Sequence, residues 1–363
     1  GVILVKHQFY IMVIFKSIAL FLVLNLVSIA HSFCLTHSYS LNNELLNKVD
    51  VEIRSGVYGK VTGIVVLGQS GKLLHEQYYG FTSKSTINPI SSVTKSLTSL
   101  LVGICLEQGY IKSIDTPIYS YFPEYANIFK NDNLKKKITL RHLLNQTTGL
   151  AWEEWRYPYN YVSNSLIALL ETNGNWVETF FKLPVETEPG LRFKYNSLAS
   201  QVVAEVLSRA SGMSFEELTK QYLFKPLHIN TYYWDNYPNN SLPAWGGIAL
   251  TTQDMAKFGM LILNDGKYSE KQIVSKKWIE ESVKQSVSYT DSVGYGLHWW
   301  VRKQTNRKPL IYAAGYGDQY VYIAPDKGLV IAINSQNFSD YRWPKGVDDL
   351  VNSILSSISE TSI

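Results

Sequence analysis

The chain has 363 residues, 45% of them hydrophobic and 18% charged, a balance that suits a globular core and excludes intrinsic disorder. A formal charge of +4 is small for that length, and the basic run Lys135-Lys136-Lys137 reads as a solvated loop, so no nucleic-acid partner is expected. Two cysteines, Cys34 and Cys105, exclude a disulfide framework; neither pairs with a histidine at ligand spacing and no H-E-x-x-H occurs, so no metal or other cofactor is expected.

Residues 1–32 read as a secretory signal peptide. Met12-Val13-Ile14-Phe15-Lys16 resembles a basic n-region, residues 17–30 form an apolar h-region broken at Asn25, and Ala30-His31-Ser32 places small residues at −3 and −1 of a cleavage site. Translation would start at Met12, and the product would be exported, periplasmic or secreted. The competing expectation is an uncleaved membrane anchor, the only membrane association the sequence suggests.

A first helix is expected over 41–51. Residues 61–67 are a β-branched run, 68–71 a turn and 72–79 a second strand, together a hairpin. After a loop over 80–90, apolar residues recur at Val93, Leu97, Leu100, Leu101 and Ile104, the stripe of a helix with one buried face that ends near Gly109. Asp115-Thr116-Pro117 and Pro123 mark an irregular passage, and 139–144 a short helix. Residues 151–161 are a loop crowded with Trp152, Trp155, Tyr157, Tyr159 and Tyr161. Helices are expected over 164–170, 176–181 and 198–209, and Ser214-Phe215-Glu216-Glu217 is a capping box for another. Thr251-Thr252-Gln253-Asp254 opens a helix through Leu263, with Asp254 capping or pinning it, and Ser275 opens the next. Strands follow over 297–302, 309–313, 319–324 and 329–334, and a helix over 348–358 closes the chain.

Strands at both ends with helices between them imply an α+β fold. One antiparallel sheet would be built from both chain ends and flanked by helices, with a mostly helical subdomain inserted in the middle. The boundaries are 41–124 and 237–358 for the α/β part, and 125–236 for the insertion. A cleft between sheet and insertion is the natural place for a site.

Ser92-Val93-Thr94-Lys95 opens the central helix, so its hydroxyl and amine share one face at the positive helix end. That is either an activated nucleophile or a serine N-cap followed by a solvated lysine. Four further blocks follow in order: residues 138–150 around Thr139-Leu140-Arg141-His142, Pro189-Gly190-x-x-Phe193-x-Tyr195, Gly246-Gly247-x-x-Leu250-Thr251-x-x-Asp254-Met255-Ala256, and Tyr295-Gly296-Leu297-x-Trp299-Trp300.

Together these blocks resemble the beta-lactamase-related serine hydrolases, over residues 41–358. That family includes class C beta-lactamases, D-alanyl-D-alanine carboxypeptidases, family VIII esterases and 6-aminohexanoate-dimer hydrolase, and carries the S-x-x-K signature of penicillin-recognising enzymes. The resemblance implies the beta-lactamase/transpeptidase-like fold, with Ser92 as acylated nucleophile, Lys95 as its proton acceptor and Tyr195 as proton relay. It also implies an oxyanion site made by the Ser92 N–H and a donor after Gly315, with Tyr316 the choice. Two departures matter. Tyr195-Asn196-Ser197 stands where many members read Y-x-N, which makes Ser197 a substrate-site candidate. Ala313-Ala314-Gly315-Tyr316-Gly317-Asp318-Gln319 stands where lactamases and peptidases carry K-T-G, so the cation that meets a substrate carboxylate is missing.

The expected activity is therefore hydrolysis of a small-molecule ester, amide or peptide-like substrate through an acyl-enzyme. D-alanyl-D-alanine carboxypeptidase or beta-lactamase activity is the alternative in the same chemistry, and a non-catalytic cell-envelope binding relative the alternative outside it. Trp152, Trp155 and Tyr157 either line the acyl pocket or pack the insertion. His142, within a helical motif and without G-x-S-x-G, is expected to be structural, and Glu153 and Glu154 to be solvated or structural. The sequence carries no signal of oligomeric state.

Overall fold

In the computed structural model the described residues are 38–170, 174–237, 242–339 and 342–361. The expected signal peptide or anchor, residues 1–32, lies outside them. Residues 39–360 form one compact unit, which carries everything that follows. No helix among the described residues is long and apolar enough to cross a membrane.

The unit is built on an eight-stranded antiparallel sheet. The hairpin supplies β1 (Val61–Gly68) and β2 (Leu73–Tyr78). The last third supplies β3 (Val287–Ser288), β4 (Val293–Tyr295), β5 (Trp300–Gln304), β6 (Arg307–Gly315), β7 (Gln319–Ala324) and β8 (Leu329–Ser335). Their order is β2-β1-β8-β7-β6-β5-β4-β3, so the two ends of the chain meet where β8 pairs with β1, Leu329 opposite Gly68.

Strand alternation sorts the side chains between two cores. Ile64, Val66, Leu310, Tyr312, Tyr322, Ile331 and Ile333 point to one face. There they meet helices α1 (Asn43–Arg54) and, from the far end of the chain, Val347–Ser357. Val65, Ile311, Ala313, Val321, Ile323, Val330 and Ala332 point to the other, larger core. Because both faces are covered, β1 and β8 read as continuous apolar runs rather than alternating ones.

The larger core is organised by α2 (Val93–Glu107), whose residues 93–105 are all buried. The expectation of one buried face is corrected: the helix is enclosed on every side. Three of its hydroxyls make this tolerable by bonding to backbone oxygens, Thr94 Oγ1 to Ser91 O (2.8 Å), Ser96 Oγ to His298 O (2.7 Å) and Thr98 Oγ1 to Ala244 O (2.9 Å). Helices α3 (Leu140–Leu144) and α4 (Trp176–Lys182) pack on α5 (Ser197–Ser211), which packs against α2, and α6 (Thr252–Leu263) lies on the sheet.

Gly103 lets the Trp278 ring cross α2: a Cβ there would lie 2.1 Å from Trp278 Cδ1, and the ring is held by its own N–H to Ser99 O at 2.9 Å. Alanine would gain about 1 kcal/mol of helix propensity. Overpacking a filled core costs about 1–3 kcal/mol or more. Gly103→Ala is therefore expected to lower the denaturation midpoint; an unchanged or raised midpoint in urea would refute this account of the contact.

Two other expectations change. Residues 297–302 are not one strand, because Gly296 N–H bonds to Trp299 O (2.8 Å) and His298 takes φ +64°, so a tight turn precedes β5. Thr251, not Asp254, caps α6: its side chain accepts from Asp254 N–H (3.1 Å), while the Asp254 carboxylate pairs with Lys257 at 2.6 Å.

Candidate active site

Three elements bring their ends together at the start of α2. The loop before it pairs Asn88–Pro89 with Ile248–Leu250, which places the segment Ala244-Trp245-Gly246 beside the helix. Ser91 stands at φ +47°, an uncommon conformation for a residue with a Cβ, and so turns Ser92 into the first turn of α2. Ser91 Oγ donates to Tyr316 O (2.9 Å), tying the helix start to the β6–β7 turn. Gly315 permits that approach: a Cβ on it would lie 2.5 Å from Ile90 O and 3.1 Å from Ser92 N. A side chain in its place would push the turn off the helix end.

Ser92 is half-buried and Lys95 is 2% exposed. Lys95 Nζ donates to Ser92 Oγ (3.1 Å), Ser197 Oγ (3.0 Å) and Trp245 O (3.3 Å). Burial lowers the pKa of Lys95 to about 8, against the opposing pull of the Glu154 carboxylate. The amine is therefore available as a proton acceptor near neutral pH, where an ordinary lysine is not. Tyr195 lies 7% exposed over it, with Nζ 4.7 Å from the ring centroid. Burial, with the Glu154 charge, pushes the Tyr195 phenol well above its usual range, while a hydrogen bond with Ser92 pulls the other way. Tyr195 thus stays a neutral phenol that can donate to the serine oxygen.

Ser197 is not a surface group. It is the first residue of α5, 1% exposed, and joins Lys95 to Glu154. Its placement as a substrate-site residue is corrected by this burial. Trp152 is likewise buried, its ring N–H donating to Glu154 Oε2 at 2.9 Å, so it packs beneath the site instead of lining it. Trp155, 46% exposed, stacks on Tyr195 (centroids 4.5 Å apart, planes at 20°) and lies parallel to Trp300 at 6.4 Å. Tyr289 stands edge-on to Trp300 and to Phe193, and Phe193 is tilted against Trp300. Tyr159 meets the Tyr316 ring at 5.1 Å. The rim above Ser92 is aromatic. Tyr157 is on the surface beneath Arg156.

His298 was missed in the sequence, and Glu154, read there with Glu153 as solvated or structural, was not linked to the site. Glu153 is exposed and pairs with Lys194 (2.8 Å), but Glu154 is 2% exposed. His298 is fully buried, Nε2 3.0 Å from Ser200 Oγ, and burial together with the Lys95 charge holds its pKa down to about 3. It is neutral, so Lys95 has no second cation beneath it. His142 is structural: its Nδ1 accepts from Thr139 N–H in the cap of α3. Gln319, buried, braces the β6–β7 turn through Gly317 O (2.9 Å) and Ser335 O (2.6 Å). Among the described residues no cluster of three or more His, Cys, Asp or Glu side chains could hold a metal ion.

The arrangement resembles proteins already described. The family model for Beta-lactamase matches residues 52–346. Beta-lactamase-like protein 4 of Dictyostelium discoideum is 26% identical over 92% of this chain and 68% of its own. D-alanyl-D-alanine-carboxypeptidase/endopeptidase AmpH of Escherichia coli is 23% identical over 73% and 75%. The 6-aminohexanoate-dimer hydrolase of Paenarthrobacter ureafaciens is 22% identical over 72% and 69%. Of solved structures, the octameric penicillin-binding protein homologue from Pyrococcus abyssi shares the fold, with a TM-score of 0.66 and 20% identity over 83% of this chain and 74% of its own. With the family model covering most of the chain, and a buried lysine held against a helix-start serine, the protein belongs to the beta-lactamase family of serine hydrolases.

Proposed function

We propose that this hydrolase cleaves a small, uncharged ester or amide through an acyl-enzyme on Ser92. The observation that carries the reading is Lys95 Nζ at 3.1 Å from Ser92 Oγ, buried so that its pKa falls to about 8. Ser92 Oγ attacks the substrate carbonyl as its proton passes to Lys95. The oxyanion is held by the Ser92 N–H at the start of α2 and by the Tyr316 N–H on the adjoining turn, donors of a kind worth about 3–4 kcal/mol each in acyl transfer. Tyr195 hands a proton to the leaving alkoxide or amine and recovers one from Lys95. Water then attacks the acyl carbon along the same route, and Ser92 regains its proton.

The substrate class follows from what surrounds the oxyanion turn. Residues 313–317 supply Ala, Ala, Gly, Tyr and Gly, with no cation for a substrate carboxylate. The rim offers the faces of Trp155 and Trp300 to an apolar or aromatic group. Both features favour an ester or a neutral amide over a beta-lactam or a D-alanyl-D-alanine peptide, each of which carries a carboxylate. The Paenarthrobacter relative is named a 6-aminohexanoate-dimer hydrolase, which supports cleavage of an amide. Its dimer is an amino-acid dimer with a carboxylate of its own, so a neutral substrate is favoured by residues 313–317 and the aromatic rim alone.

The test is intact-mass measurement after mixing the protein with p-nitrophenyl acyl esters, a linear amide dimer, nitrocefin and a D-alanyl-D-alanine peptide. An acyl adduct on Ser92 is expected with the esters, and slower turnover with the amide. Turnover of nitrocefin or the peptide ahead of every ester would reassign the substrate class. No adduct and no turnover with any member of the panel would leave a non-catalytic binding protein.

A further inference from the structure

We infer that Glu154 is a positioning residue for the reaction, which aims the lone pair of Lys95 at Ser92 through the hydroxyl of Ser197. The inference rests on the proposed Ser92–Lys95 chemistry and adds to it the group that orients the base.

The argument is a count of donors and lone pairs. Glu154 accepts four hydrogen bonds: from Ser197 N–H (2.6 Å) and Trp152 Nε1–H (2.9 Å) at Oε2, and from Ser197 Oγ–H (2.5 Å) and Tyr159 O–H (2.7 Å) at Oε1. Acceptance from four donors is what a carboxylate offers and a carboxylic acid does not. Because Ser197 Oγ spends its hydrogen on Glu154, it can present only lone pairs to Lys95, 3.0 Å away. Trp245 O is likewise an acceptor only. A neutral lysine has two N–H groups and one lone pair. With its two hydrogens taken by Ser197 Oγ and Trp245 O, the lone pair is left facing the third neighbour, Ser92 Oγ, which carries the proton to be removed. Without Glu154 the Ser197 hydroxyl could turn and donate to the amine, occupying the lone pair that the reaction needs.

Glu154 also bears on when the base becomes neutral. Lys95 faces Glu154, Tyr195 and His298, and Glu154 faces Tyr159, Tyr195 and Tyr295. Burial pushes all three phenols up, and His298 is held down to about 3. The amine and the Glu154 carboxylate, which accepts from four donors, are therefore the charged pair of this cluster. The carboxylate favours the protonated amine, so its removal brings the neutral base to lower pH.

Glu154→Gln separates these effects with little change of shape. The amide oxygen can take the place of Oε2, whose two partners are N–H donors, and the amide nitrogen that of Oε1, whose partners are hydroxyls able to reverse. The readout is the rate of Ser92 labelling by a fluorophosphonate on the full chain across pH 5–9, with folding checked by thermal unfolding. In that step the serine oxygen–phosphorus bond forms, fluoride leaves and the serine proton goes to Lys95. The parent is expected to show an acid limb near pH 8. E154Q should label about 10–100-fold more slowly at its plateau, as for misdirection of a general base, with the limb moved about one unit lower. Ser197→Ala keeps the carboxylate and removes the link, so its plateau should fall about tenfold or more with a smaller movement of the limb.

A folded E154Q with the parental limb and plateau would overturn the role of Glu154, as would slower labelling with an unmoved limb, the mark of a merely structural residue. If E154Q does not fold, S197A decides: labelling at the parental rate overturns the inference, and slow labelling of the folded variant sustains it. If the parent itself is unlabelled at every pH, the Ser92 chemistry has failed and the inference falls with it, a result distinct from a labelled parent with indifferent variants.

Discussion

Replacing Ser92 with alanine is expected to reduce ester hydrolysis by at least about 10⁴-fold while leaving the fold intact. The side chain makes no cap hydrogen bond at the start of α2, and among the described residues its oxygen meets Lys95 and Tyr195. Losing it therefore removes the proposed nucleophile without removing a structural tie. The backbone conformation, φ −67° and ψ −4°, suits alanine as well as serine. The neighbouring Ser91 provides the contrast, since its hydroxyl binds Tyr316 O and fixes the oxyanion turn. Rates with p-nitrophenyl acetate, together with loss of the Ser92 adduct by peptide mass mapping, measure the effect. S92A retaining parental turnover would remove Ser92 from the mechanism.

The second large effect is at Lys95. Lys95→Met, similar in length but without a base, is expected to lower kcat/KM by about 10²–10⁴-fold. In the parent, kcat/KM should rise about tenfold per pH unit and level off near pH 8, where the buried amine loses its proton. The variant should lack that limb. Stability carries the same signature. The folded-state pKa lies below the ordinary lysine value of 10.5, so between the two the unfolded chain binds more protons and stability rises with pH. Between pH 8 and 9, where tyrosines are still largely protonated, the parent should gain about 1 kcal/mol that K95M does not gain. Urea unfolding at the two pH values checks this. Equal pH dependence in both proteins would show that Lys95 is not desolvated.

Much of the fold could be read from side-chain periodicity. The runs over 61–67, 319–324 and 329–334 were legible because enclosed strands are continuous, β-branched and bounded by turns. β3 and β4, two and three residues long, were not, since alternation has no room to show. The helix at Ser92 was located but its surroundings were misjudged. Thr94, Ser96 and Thr98 look like a polar face, and only the carbonyls of Ser91, His298 and Ala244 allow them to be buried. Glu154 was passed over for the complementary reason. A glutamate beside an exposed Glu153 reads as solvated or structural, and its place in the site shows only when Trp152, Tyr159 and Ser197 are seen to converge on it.

What the sequence determined by itself was local. Ser92 and Lys95, three residues apart on a helix, must share a face, and that follows from 3.6 residues per turn. The identity of the hydroxyl and the amine, and the absence of a cation over 313–317, are likewise properties of the chain alone. The tertiary structure decided what those groups can do. The proton affinity of Lys95 depends on loss of water and on Glu154, 59 positions away, and the direction of its lone pair on Ser197 and Trp245, 102 and 150 positions away. Desolvation and hydrogen-bond polarity are sums over neighbours in space, and no spacing along the chain encodes them.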